Sequence, residues 1–512
     1  MKKLLSILCA AALTLSLAAC GSSTEDYAGQ TLTGQVTAID GSAVTLQLGE
    51  LTEDANTPPD GSSDAQTPPD GGSDANTPPE KPGDASGSDT QAPPDSGSAP
   101  SGQGGPGGGF GGSGEVTQGD SANTISEDGT YSGTAYTSTG DDENTLRVDG
   151  AAVTLDGVTV DKSAGATSNT ENGDFYGVNA ALLATNGATV TIKNATVTSS
   201  AQNGNGVFSY GSGTTVNISD STITTTADNS GGIQTTGGGT TNASDLTVET
   251  SGNSSAAIRS DRGGGTVNVD GGTYTSNGYN SPAVYSTADI TVKNAALTAN
   301  HSEALVIEGK NSITLENCTV TGNMSDTQGA SSDENVHAVM IYQSMSGDAD
   351  VGTSTFSMTG GSLTGRNGDL FYVTNTHCVL TLSGVTLRNE DADAYLLRIV
   401  GNSASRGWGT AGANGAQVDL TADAQTLEGD IVVDTISTLS LTLKNGSSFT
   451  GTVNIIENAE GTAVSDNAVV TIESGCTWTL TGDCVITSLV NNGTIDFNGY
   501  TITLADGTVL QG

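Results

Sequence analysis

The chain has 512 residues, with 57 Asp+Glu against 15 Lys+Arg and a net charge of −42. Its 71 glycines, 34% apolar and 4% aromatic residues argue against an all-α or broad α/β core. The acidity excludes nucleic acid as a partner, because phosphate binding needs clustered Lys and Arg, and it favours a soluble surface that attracts cations.

Lys2 and Lys3 precede an apolar stretch, Leu4 to Leu15, that is too short for a spanning helix. Leu17-Ala18-Ala19-Cys20-Gly21 follows. These five residues resemble a bacterial lipobox, which implies a signal peptide over 1–19, cleavage before Cys20 and lipidation of its sulfur. An ordinary secretory signal is the alternative, and it exports the chain as well. Removing Lys2 and Lys3, two positive charges, takes the net charge from −42 to −44. The chain is expected on the outer face of the cell membrane, anchored to it rather than threaded through it.

In the lipidated N-terminal piece, 20–49, alternating apolar residues flank Asp40-Gly41 and predict a short hairpin. Residues 50–118 are low in complexity. Asp54, Asp64, Asp74 and Asp84 recur in one frame, and eleven of the twelve prolines lie between Pro58 and Pro106. That composition predicts a disordered linker that holds the remainder, 119–512, away from the membrane. A Pro-rich recognition segment is the other reading of it. Cys318, Cys378, Cys476 and Cys484 show no zinc-ligand spacing. They read as small buried residues, with pairing of Cys476 and Cys484 across neighbouring strands left open.

The part after the linker is a repeat. The frame of Val190-Thr191-Ile192-Lys193-Asn194-Ala195-Thr196-Val197 recurs from Val153, Val216, Thr241, Val267, Ile290, Ile313, Phe356 and Leu380. The intervals are 37, 26, 25, 26, 23, 23, 43 and 24 residues. Four places after each anchor stands Gly157, Asn194, Asp220, Asp245, Gly271, Asn294, Asn317, Gly360 or Gly384. All are residue types that tolerate positive φ. Each unit therefore predicts a short strand, a tight left-handed bend and a second short strand, stacked as the laps of a solenoid. Beyond Gly401 the frame loosens, although Leu439, Leu441, Leu443 and Asn445 still fit, and Thr494 to Ile502 is expected to cap the last edge.

These residues resemble the right-handed parallel β-helix of the pectate-lyase type, an all-β fold. The resemblance implies that Asn294 and Asn317 begin an internal asparagine ladder. Lipobox, linker and repeat together are similar to β-helical, carbohydrate-binding-like surface lipoproteins of Gram-positive bacteria.

A further short strand precedes each anchor. If Val207, Ile258, Val284 and Leu305 point inward, Phe208, Gln234, Arg259 and Tyr285 align outward. A second row holds Tyr210, Asp261, Glu308 and Tyr342, with Arg262 and Lys310 just beyond. Aromatic faces stack on sugar rings, and acids and guanidinia hold hydroxyls or carboxylates. These nine charged and aromatic residues are therefore candidates for contact with a polysaccharide or a host or cell-wall glycan, the alternative being a solvated ladder that only stabilises the sheet. Asp141, Asp142 and Glu143, and Asp333 and Glu334 in the long 43-residue interval, are weak candidates for Ca²⁺ because hard carboxylate oxygens suit that ion. Glu390, Asp391 and Asp393 form a third acidic group.

The G-H-G and R-I-K that the resemblance would bring for hydrolases are absent, Asp141-Asp142 lacks these companions, and the three histidines fall in three laps. The expected function is polysaccharide binding or adhesion at the cell surface. A Ca²⁺-dependent lyase of acidic glycan, with Arg259, Arg262 or Lys310 as base beside Asp261 and Glu308, is one alternative, and a structural spacer is another.

Overall fold

The computed structural model describes residues 34–40, 43–48, 116–326 and 335–512. Cys20, the signal segment, Asp333, Glu334 and all of the expected linker except its last three residues lie outside them. Gly34–Asp40 and Ala43–Leu48 pair antiparallel, with Asp40 opposite Ala43, so the turn falls at Asp40-Gly41.

From Asp120 onward the chain is a right-handed parallel β-helix. Successive laps lay short strands over one another and build three long sheets. The anchor sheet has 14 strands, from Gly129–Ser132 to Ser488–Asn491. A second sheet has 10 strands, from Ala135–Ser138 to Thr386–Asn389, and a 4-stranded sheet, Thr426–Glu428 to Thr494–Asp496, follows it in the later laps. The third, here the covered sheet, has 16 strands, from Thr124–Ile125 to Val509–Gln511. Fourteen laps at about 4.8 Å give a stack roughly 60 Å long.

All nine repeat anchors sit in register. Val153, Val190, Val216, Thr241, Val267, Ile290, Ile313, Phe356 and Leu380 are successive partners in the anchor sheet. All nine bend residues have positive φ, from 50° at Asp245 to 77° at Gly271. The bend turns the chain from the anchor sheet into the second sheet, where Val197, Ile223, Val248 and Tyr274 continue the buried stack. The loosened region also keeps the frame: Leu380 pairs with Leu420, Leu420 with Leu441, and Leu441 with Val470. The stack ends where Val509–Gln511 folds back antiparallel on Thr501–Leu504.

The internal asparagine ladder is corrected. Asn294 and Asn317 are exposed, because a left-handed bend turns its side chain away from the lap interior, and Asn294 Nδ2 donates to Asp270 Oδ1 on the neighbouring lap at 2.7 Å. Serines line the interior corner instead. Ser255 Oγ accepts from the Ser230 amide and Ser281 Oγ from the Ser255 amide, each at 2.9 Å. Buried backbone N–H groups at a corner need such acceptors. Cys318, Cys378, Cys476 and Cys484 are free and buried.

Candidate functional site

Val207, Ile258, Val284 and Leu305 join the main core, as the alternation predicts. Phe208, Gln234, Arg259 and Tyr285 form one cross-strand row on the other side of the covered sheet, continued by Val306, Met340 and Tyr372. The expected open face is corrected, however. Phe208 and Gln234 are 0% exposed, Tyr285 and Tyr342 1%, and Arg259 7%. Tyr210 and Arg262 are half-buried, and only Lys310 is exposed, where it packs beside Gly352.

The physical reason lies in the long laps. The interval from Val153 to Val190 carries the helix Thr170–Tyr176, capped by Asn169 and ended by Gly177 at φ 81°. The interval from Ile313 to Phe356 carries the 343–352 turn, and that from Leu380 to Leu420 carries Trp408. These pieces fold over the sheet. Tyr342 and Trp408 have ring centroids 4.6 Å apart, and Ala256, Tyr285, Val306, Met340 and Tyr372 complete a second apolar cluster.

Ionic contacts hold the cover. Arg259 meets Asp174 of the helix at 3.1 Å and Asp261 of its own lap at 2.9 Å. Arg262 donates to Asp348 Oδ1 through Nε at 3.0 Å and Nη2 at 2.7 Å, and its guanidinium lies 4.0 Å from the Phe175 ring centre. Glu308 accepts from Tyr285 at 2.5 Å, from Tyr342 at 2.9 Å and from Ser344. Burial, and then repulsion by Asp174, Asp348 and Glu308, push the Asp261 carboxyl up to about 8 against the pull of Arg259. Burial also raises Glu308 and Asp174 above the usual carboxylate range. Burial alone would lower Arg259, but Asp174 and Asp261 raise it instead.

Asp141, Asp142 and Glu143 turn to separate partners. Asp141 accepts from the Ala166 amide, Asp142 from the Ser168 amide, and Glu143 from Ser138 Oγ at 2.5 Å. Lys162 beside them donates to the Gly140 carbonyl at 2.5 Å. Among the described residues no group of three His, Cys, Asp or Glu side chains is placed to hold a metal ion, so the calcium expectation finds no convergent ligand set there.

The sequence reading passed over the outer face of the anchor sheet. One row there reads Thr154, Thr191, Asn217, Asn242, Asn268, Thr291, Thr314, Ser357 and Thr381, all in register. Asn242 Nδ2 donates to Asn217 Oδ1 and Asn268 Nδ2 to Asn242 Oδ1, each at 2.9 Å. Around these amides runs a groove of about 480 Å³ whose lining includes Lys193 and Lys293. Asn242 and Asn268 each use one N–H along the row and keep a second for another acceptor. The signal was present in the sequence as an unbroken run of Thr, Asn and Ser one place after each anchor and three before each bend.

The fold thus defines the class as a parallel β-helix solenoid. No protein-family model matches the chain, and no curated protein is significantly similar to it.

Proposed function

We propose that this chain is an exported β-helix protein, lipid-anchored through Cys20 on the outer face of the cell membrane, that binds an extended polysaccharide of low charge along the Asn217–Asn242–Asn268 groove. The supporting observation is the row of amides and hydroxyls repeated at each lap. Amide and hydroxyl groups exchange hydrogen bonds with sugar hydroxyls, and a repeat along one axis suits a polymer. The chain's large acidic excess disfavours a polyanion. A lyase reading has weaker support, because two of its three candidate bases, Arg259 and Arg262, are engaged by Asp174, Asp261 and Asp348.

Affinity electrophoresis against neutral and acidic polysaccharides, with calcium and with chelator, tests the proposal. At least one neutral polymer is expected to retard the wild type, and Asn217→Ala/Asn242→Ala/Asn268→Ala to abolish that retardation while the variant stays folded. Equal retardation of both proteins, or none by any polymer, removes the groove reading. Unsaturated products absorbing in the ultraviolet would favour the lyase instead.

A further inference from the structure

The covered sheet carries a second inference, independent of the groove. Polar ties join the cover to the sheet beneath it. The helix Thr170–Tyr176 is held through Asp174 on Arg259, through Gln234 Nε2 donating to the Asp174 carbonyl at 2.6 Å, and through Thr236 Oγ1 donating to the Phe175 carbonyl at 2.6 Å. The 343–352 turn is held through Asp348 on Arg262 and through Ser344 on Glu308. Ser346 joins the two acids of that turn's contact, donating to Asp348 at 2.9 Å.

Charge does not balance within this contact. Four carboxyl groups, on Asp174, Asp261, Glu308 and Asp348, face two guanidinium groups, on Arg259 and Arg262. Asp348 and Glu308 are almost fully buried, as is Asp261. With all four ionised, two negative charges would stay uncompensated in a region from which water is excluded, which is unfavourable. A third cation, Arg406, lies 4.5 Å from the Trp408 ring centre and acts on Tyr342, and counting it still leaves one of the four carboxylates uncompensated. Tyr285 and Tyr342 face Glu308 as neutral donors, and Glu171 and Tyr176 face Arg262 from the helix. The closed cover therefore holds a proton that a hydrated, opened one would release.

We infer that the helix Thr170–Tyr176 and the 343–352 turn form a proton-linked cover, which tightens over Tyr285 and Tyr342 in acid and loosens as the medium becomes alkaline. The sign follows from the carboxyls. The closed-state values of Asp174, Asp261 and Glu308 lie above those of hydrated carboxyls, so their contribution to closure is complete below the ordinary carboxylate range. It is lost as pH rises towards about 8, where Asp261 ionises in place. Opening would present the aromatic and acidic row that the closed cover hides.

Amide hydrogen exchange on the full chain tests this. Peptides over 170–176 and 343–352 are followed across roughly pH 5 to 8, with Ser312–Glu316 of the anchor sheet as internal reference and intrinsic exchange rates divided out. One proton released per opening predicts that protection of the cover falls close to tenfold per pH unit. The reference strand should stay level. Asp261→Asn, or Glu308→Gln as a second variant, is expected to flatten the slope, and the reference strand reports whether each variant is folded. A level profile for the wild-type cover overturns the inference, as does an undiminished slope in both variants.

Discussion

The covered sheet and the anchor sheet are built from the same laps, yet their outer faces differ. On the anchor sheet the outward positions are Thr, Asn and Ser, and they face solvent in a groove. On the covered sheet they include Phe208, Arg259, Tyr285 and Tyr372, and they lie beneath a helix and two loops. Strand alternation sets only which side of a sheet a residue faces. What lies over that side is decided by the lengths of the connections.

The sharpest way to break this contrast is to remove one polar side chain from each face. Arg259→Ala leaves the buried Asp261 and the half-buried Asp174 without their shared cation, and unfolding titrations should show a loss of about 3–5 kcal/mol. Asn242→Ala on the open face should cost less than about 1 kcal/mol, because water replaces the lost amide. Similar losses at both positions would mean that the covered sheet is wetter than its packing implies.

A smaller effect sharpens the account of the bends. Asn294 sits at φ 53°, so Asn294→Ala should cost about 1–2 kcal/mol and Asn294→Gly much less, read from the difference in Tm. The smallest effect is inside the stack. The Tyr274 hydroxyl is buried without a hydrogen-bond partner, and Tyr274→Phe should match or exceed the wild type by up to about 1 kcal/mol. A clear loss would reveal a partner for that hydroxyl.

Register was legible in the sequence because each lap repeats the same local demands. Inward Val, Ile and Leu alternate with Thr, and then comes one residue able to adopt positive φ. Nine anchors and nine bends follow from that alone. Lap ends and cover were not legible from periodicity, since Asp174, Asp348 and Trp408 lie in stretches that repeat nothing. The intervals of 37 and 43 residues did mark where extra chain had to go. Reading them as cover would have shown why an aromatic and acidic row can lie on the outside of a sheet and still be dry. The asparagine ladder failed for a related reason. A left-handed bend accepts Asn for its backbone, which says nothing about stacking inside.

After its 43-residue excursion the chain returns to pair Ile313 with Phe356 as though no detour had occurred. That lap is consequently a port: the register of the stack does not set how much polypeptide leaves it between one anchor and the next. Chain can be added or removed there while the windings on either side keep their step.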